Sequence, residues 1–576
     1  MKEIIQNNIS LMRSRIVKII RPEKPGVVPG YRPVWLFTSI LLLIFILVPL
    51  STVVIKVFEI GSFKEFISVI SNPLVVSGYK VTILCSLAAA AANAVFGLIL
   101  AWTLVRYDFP FKNIIDGLIE LPFALPTSVA GIALTYLYSD KGFFGQFAAK
   151  FGIKIAYTKA GIIIAMIFVG IPFVVRSVQP VLKNLDKDFE EASVTLGADR
   201  KTTFLKVIFP EIFPSLIAGF SLAFARDLGE YGSVVFIAGN IPKKTQIVPL
   251  IIVSKLEQLN YSDASAIAFV LLLLSFTVAI ISNALQLHFQ KYVKSDNVSG
   301  IAKTIIPLKF KVSHIREIGL VTIDYLFIII MLIVPLLTVV ITSLKDGVRA
   351  YFKYISNPYT MSAFRLTVFA SFISVIVVTV FGILAAFLLT KYNFRGKQVF
   401  ASLIDIPLSI SPVIAGLAYI LTFGSIGFLG PFLEAHGIKI AFAVPGIVLV
   451  TIFVTFPYVF RELFPVMNAY GNDEEEAASL FGAGFFSILH SITLPNFRWA
   501  LWYGVTLAFA RALGEFGAVS VISGHLRGKT NTLPLQVEVL FNDFDTTASF
   551  AAASLLVITA VIILIIKSFF LKKGGQ

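Results

Sequence analysis

Two pairs of opposite charge stand in otherwise apolar sequence: Arg226 with Glu230, and Arg511 with Glu515. Four places apart, each pair falls on one face of a helix, where a salt bridge forms. Near a membrane interior such pairing offsets part of the cost of carrying each charge. The chemistry open to these residues is electrostatic. One reading is that each pair stabilises a helix break beside "GEYG" or "GEFG". The other is that Arg226 and Arg511, with Lys243, Lys244, Arg527 and Lys529 nearby in sequence, give the mouth of a path a positive field that draws in an anion. Bond-making chemistry has no comparable support. The five His are scattered, no compact Ser-His-Asp set or metal-ligand spacing occurs, and the lone Cys85 lies inside an apolar run. No catalytic residue, metal or cofactor is expected. "SGHLRGKT" at 523–530 comes within one residue of a P-loop, but Ser523 replaces the first glycine and no strand is expected before it.

A second charged feature is "EEEAASLFGAGFFSILHSITLP" at 474–495, with the partner "EEASVTLGADRKTTFLKVIFP" at 190–210. A charge at the bilayer centre costs at least roughly 2.5 to 3.5 kcal/mol, so Glu474, Glu475 and Glu476 are expected to face water. Each stretch reads as a short amphipathic helix, acidic at its start and broken at Gly197 or Gly482, with the chain re-entering the membrane around Pro210 or Pro495.

The elements that must position these groups are membrane helices. The chain has 576 residues, 57% of them hydrophobic and 14% charged, and a mean hydropathy of +0.87. That leaves too little polar surface for a soluble globule of this size. Charge-free runs at Pro33 to Ile55, Val81 to Val105, Leu366 to Thr390 and Ile406 to Leu433 exceed the roughly 20 residues a spanning helix requires. About twelve spans are expected in an all-α membrane protein. The formal charge of +15 comes largely from basic residues that flank spans, as the positive-inside rule expects, and no aromatic-basic platform points to nucleic acid. The segment before the first apolar run is too long and too charged for a typical cleaved signal, so that run reads as a signal anchor.

The chain also repeats itself at an offset of 285 residues. Thr82, Pro122, Pro172, Arg176, Gly197, Pro210, Arg226 and Glu230 recur as Thr367, Pro407, Pro457, Arg461, Gly482, Pro495, Arg511 and Glu515, and "GIKIA" at 152–156 recurs at 437–441. No gap is needed between residues 82 and 250. Six spans per half, an even number, place both halves in the same orientation: a parallel duplication of the kind that encloses a transport path. The expected organisation is a cytoplasmic segment 1–33, a first half 34–290, a cytoplasmic linker 291–318 and a second half 319–576, with both termini cytoplasmic. Counting spans puts both acidic loops in the cytoplasm.

Glu476, Ala477 and Ala478, followed by Gly482, Ile492, Leu494 and Pro495, match the EAA loop of ABC importer permeases, E-A-A-x3-G-x9-I-x-L-P. The first copy keeps Glu191, Ala192, Gly197 and Pro210 but departs at Ser193, Val207 and Phe209. Beyond the loops, "FARDLGEYGSVVFIAGNIPKKTQIVPL" at 224–250 is similar to the T-type subunit of sulfate/thiosulfate permeases, and "FARALGEFGAVSVISGHLRGKTNTLPL" at 509–535 to the W-type subunit. The resemblance covers nearly the whole chain apart from the N-terminal 30 residues and the linker. It implies a type I ABC importer permease fold, with the two acidic loops as coupling helices for two separate ATPase subunits. It further implies an extracytoplasmic sulfate-binding protein as partner, the plasma membrane as location, and alternating access as mechanism. Molybdate or tungstate permeases share the R-x-x-G-E-[FY]-G element but resemble homodimers. A fused ferric iron or thiamine permease would keep the coupling loops, and an ion-driven secondary transporter would share the parallel halves.

Overall fold

Helices satisfy their own backbone hydrogen bonds, so apolar sequence in hydrocarbon folds into them. The computed structural model describes residues 28–185, 187–293, 310–311 and 315–574. Among these, nine helices are long and apolar enough to cross a membrane, and two further pairs reach that length only together, each bent by 106°. In the first half the order is Tyr31–Phe58, Pro73–Arg106, the bent pair Lys112–Phe123 and Thr127–Tyr138, then Lys159–Asn184, Arg200–Leu228 and Tyr261–Ser282. The second half repeats it with Ile318–Ser343, Pro358–Lys391, the bent pair Lys397–Ser409 and Pro412–Phe423, Val444–Tyr470, then Arg498–Leu513 and a last helix from Thr546. Arg498–Leu513 is separated from the turns before it by a break at Phe497. The one strand pairing among the described residues joins Tyr107–Asp108 to Phe310–Lys311. The basic segment before residue 28 and most of the expected linker lie outside the described residues.

The apolar run Ile406 to Leu433 is not the single span its composition suggests. It breaks between Ser409 and Pro412, and its second helix ends at Phe423. A residue before proline is kept out of the helical region, and Ser411, with φ −57° and ψ 131°, sits in extended backbone. Pro126 holds the same conformation at the first-half elbow. Prolines also explain four wide turns. The π-helical segments Leu43–Leu47, Phe204–Ile208, Ile329–Ile333 and Leu489–Thr493 each end two residues before Pro49, Pro210, Pro335 or Pro495. Proline brings no N–H and its ring clashes with the preceding turn, and a wider turn absorbs both. The helix after each acidic loop therefore starts well before the proline, at Arg200 or Phe485, rather than at it.

The repeat extends to individual hydrogen bonds. Thr82 Oγ1 accepts from Val248 N at 2.9 Å, and Thr367 Oγ1 from Leu533 N at 2.7 Å. The halves are not separate bodies, because their first spans are exchanged. Tyr31–Phe58 lies against the second half, where Tyr419 donates its hydroxyl to Phe45 O at 2.9 Å and Thr52 Oγ1 stands 3.1 Å from Thr422 Oγ1. Ile318–Ser343 packs both on the last helix of its own half and on the first half, with Asp324 accepting from Thr103 Oγ1.

Candidate functional site

Each charged pair forms where its helix ends at glycine. Arg226 Nη1 stands 2.8 Å from Glu230 Oε2, and Arg511 Nη2 stands 2.6 Å from Glu515 Oε2. The carboxylates are buried and anchored from behind. Glu230 Oε1 accepts from Ser233 N and Ser233 Oγ, both at 2.9 Å, and Glu515 Oε1 accepts from Ala518 N at 2.9 Å. The arginine side chains are the partly open members, 15% and 12% exposed against 0% and 1% for their partners. Arg226 and Arg511 line one small cavity between the halves, together with Phe173, Leu408 and Tyr458. The repeat thus brings two equivalent arginines to a single space.

The elbows close this space reciprocally. Ser411 Oγ of the second-half elbow donates to Gly229 O at 2.8 Å. A Cβ on Gly229 would lie 2.7 Å from Ser411 Cα, so this approach requires glycine. On the opposite side Gly514 faces Pro126 of the first-half elbow in the same way. Between the two glycines Tyr231 stacks on Phe516, ring centroids 5.7 Å apart and planes 13° apart. These two rings occupy equivalent positions of the repeat.

Two larger chambers flank the arginine cavity. One, of about 370 Å³, lies toward the acidic loops and shares Phe173, Leu408 and Tyr458 with it. Arg176 and Arg461 reach this chamber, but both are compensated: Arg176 by Asp116 and Glu120, each at 2.8 Å, and Arg461 by Asp405 at 2.9 Å. The other chamber, of about 450 Å³, lies beyond Tyr231 and is lined by Glu257, Glu538 and His525. Burial, reinforced by the neighbouring Glu257, pushes the Glu538 carboxyl up to about 7, while burial lowers the His525 imidazole. Lys243, Lys244, Arg527 and Lys529 are exposed and line none of these three spaces, and Arg527 is paired with Asp543 at 2.5 Å.

The acidic loops fold as helices Lys187–Thr195 and Asp473–Leu480, and the turns after them place Gly197 and Gly482 at φ +86° and +85°. Glu191, Ala192 and Ala477 are exposed, while Glu476 and Ala478 are half-buried. The apolar side chains of Leu196 and Phe481 stand 87% and 93% exposed beside them. One expectation is overturned: Glu475 does not face water. It is buried against Lys391 at 2.9 Å and accepts from Thr493 Oγ1 at 3.2 Å, while Lys391 also donates to Gly471 O at 2.7 Å. The desolvation cost that argues for exposure is offset by the opposite charge and the hydrogen bonds. The first half repeats this tie between Arg106 and Glu190. Sequence reasoning passed over both pairs, although Arg106 and Lys391 stand at matched positions at the ends of apolar runs and Glu190 and Glu475 at matched places in the loops.

Two parallel sets of spans with exchanged first helices, charged groups at the centre and water-exposed loop helices on one side define a two-repeat membrane permease. Comparison with known sequences is specific. The chain belongs to the family described as "Binding-protein-dependent transport system inner membrane component", whose model matches residues 93–295 and again 378–572. It is 48% identical over 268 residues to the sulfate transport system permease protein CysT of Salmonella typhimurium, covering 46% of this chain and 96% of that protein. It is 44% identical over 258 residues to CysT of Synechocystis, covering 45% of this chain and 90% of that protein. To the sulfate transport system permease protein CysW of Escherichia coli it is 50% identical over 222 residues, covering 38% of this chain and 76% of that protein. The chain is a multi-pass inner-membrane permease subunit of an importer, and it carries the family domain twice.

Proposed function

We propose that this chain supplies both permease halves of an ATP-driven sulfate or thiosulfate importer, T-type and W-type fused, with residues 34–290 and 319–576 as the two halves and both termini cytoplasmic. Similarity to two differently named sulfate permeases, each matching less than half of the chain, carries the reading. Two ATPase subunits dock on the helices Lys187–Thr195 and Asp473–Leu480, whose neighbouring exposed apolar side chains suit a protein surface. Glu191, Ala192 and Gly197, and Glu476, Ala477, Ala478 and Gly482, shape those contacts. The pairs Arg106–Glu190 and Lys391–Glu475 carry the push to the spans Pro73–Arg106 and Pro358–Lys391.

An extracytoplasmic binding protein delivers the dianion to the face opposite the coupling helices. The anion passes Arg226 and Arg511, whose side chains line the cavity while Glu230 and Glu515 are held back by backbone N–H groups. The Tyr231–Phe516 stack and the elbow contacts shut the path on the delivery side, and the chamber of about 370 Å³ leads toward the cytoplasm. Lys243, Lys244, Arg527 and Lys529 contribute at most a long-range field at the outer rim, since none reaches the cavity. Import of a dianion against an inside-negative potential costs about 2.3 kcal/mol per charge per 100 mV, which ATP must supply.

Labelled sulfate uptake into vesicles holding this chain, its ATPase and its binding protein tests the reading. Uptake should require ATP, and thiosulfate should compete more strongly than molybdate. Stronger competition by molybdate moves the cargo to that oxyanion, and ATP-independent uptake driven by an ion gradient discards the importer class.

A further inference from the structure

In the first half, two buried polar side chains converge without satisfying one another. Asp227 is fully buried and neither carboxylate oxygen has a hydrogen-bond partner in the protein; Asn93, equally buried, uses neither its amide nitrogen nor its oxygen. Both border the place where Gly170 lacks a side chain. A Cβ there would stand 2.3 Å from Asn93 Nδ2 and 3.3 Å from Asp227 Oδ2. The three residues come from the spans Pro73–Arg106, Lys159–Asn184 and Arg200–Leu228, which pack on one another. The fold does not demand this cluster. At the equivalent positions the second half has Val378, Thr455 and Ala512, and Thr455 satisfies its hydroxyl on Thr451 O at 2.7 Å. The charged groups acting on Asp227 are Arg226 and Glu230. Those two already pair with each other.

We propose that Asp227, Asn93 and Gly170 form a proton-binding site whose occupancy sets the charge of the arginine cavity. A proton from water bonds to one Oδ of Asp227, giving a neutral acid beside the Asn93 amide; on release the proton returns to water and the carboxylate is left ionised. The cluster offers a proton a carboxylate that no group of the protein hydrogen-bonds. The charge count gives the site its consequence. Arg226 with Glu230 and Arg511 with Glu515 sum to zero, so an ionised Asp227 adds one uncompensated negative charge beside Arg226. A dianion then meets repulsion where a neutral Asp227 offers none. This deepens the reading of the arginine cavity as the anion path and rests on it.

The test pairs infrared spectroscopy of the purified chain in lipid with labelled sulfate uptake by the complete transporter, comparing wild type with Asp227→Asn. At neutral pH the wild type should show, beside the contribution of Glu538, a carbonyl component of a protonated buried carboxyl that Asp227→Asn removes. Its uptake should fall as pH rises, by about tenfold per pH unit once the proton is leaving. Asp227→Asn, neutral at every pH, should lose that fall. As a control for folding, the triple variant Asn93→Val, Gly170→Thr, Asp227→Ala carries the second-half residues and should likewise insert and transport without the alkaline fall. No carbonyl band sensitive to Asp227→Asn, or a well-folded Asp227→Asn that transports nothing at any pH, overturns the proposal. A cargo other than sulfate would leave the infrared band in place, so the two readings fail separately.

Discussion

The two halves share a backbone plan and differ in the polar side chains placed on it. Elbows, proline-bound wide turns, the threonine bonds to Val248 and Leu533, and the Arg–Glu pairs are duplicated almost residue for residue. The chamber toward the acidic-loop helices is not. Where the first half has Phe173, Ser177 and Ala218, the second has Tyr458, Glu462 and Tyr503. The ties to the acidic-loop helices also differ: Lys391 and Glu475 are almost wholly buried, Arg106 and Glu190 less so. Duplication has preserved what builds the frame and the central charge pair, and divergence has worked on the surfaces around them.

The buried tie gives the sharpest way to break this comparison. Lys391→Met leaves Glu475 buried without its charge partner and should destabilise the protein by about 3 kcal/mol, read as a lowered melting temperature in detergent. Arg106→Met should cost about 1 kcal/mol or less, because Glu190 keeps access to water. Equal losses would mean the halves are tied alike. Next in size, Arg226→Gln and Arg511→Gln should each slow sulfate entry per folded molecule by roughly tenfold, with a lowered melting temperature because Glu230 or Glu515 stays buried without its charge partner, and Glu230→Gln and Glu515→Gln should slow entry per folded molecule much less. Matched losses of thermal stability, with unchanged transport per folded molecule, would confine both pairs to a structural role.

Gly482→Ala and Gly197→Ala should each strain a left-handed turn by about 1 to 2 kcal/mol and lower coupled ATPase activity while insertion stays normal. Glu476→Gln should uncouple more than Glu191→Gln, given the departure at Ser193. Full-rate transport and normal ATPase stimulation in these variants would remove the coupling assignment. The smallest effect is expected at Glu538, which faces the chamber beyond Tyr231 where the first half has Val253. Its carboxyl is raised from 4.5 to about 7, so the folded state holds a proton that the unfolded chain releases. Stability should therefore decline as pH rises from 4.5 to about 7, and Glu538→Gln should flatten that decline in a melting series.

Much of this frame was legible in the sequence because its determinants are local. Glycine at a left-handed turn, proline after an apolar run and charges four places apart each act within a turn or two of helix. The second elbow was half legible: Pro412 stands at the break, but nothing near it in sequence points to Gly229 of the other half, against which the 106° bend packs. The ties Arg106–Glu190 and Lys391–Glu475 were missed because their partners are far apart in the chain and meet only when a loop helix docks on a span. The same holds for Asn93 and Asp227. Asp227 is conspicuous beside Arg226, but nothing near it in sequence points to Asn93. Hydropathy counts charges without their partners, which is why it sent Glu475 to water.

The exchanged first spans, each lying against the opposite half, bear on stoichiometry. When such halves are separate polypeptides, each must find a partner of the other kind before its first span can complete its packing, and unequal synthesis leaves surplus halves with part of that surface bare. Joined in one chain, the partner is always present at an effective concentration on the order of millimolar. The one-to-one ratio is then written into the gene, and assembly no longer depends on how much of the protein the cell makes.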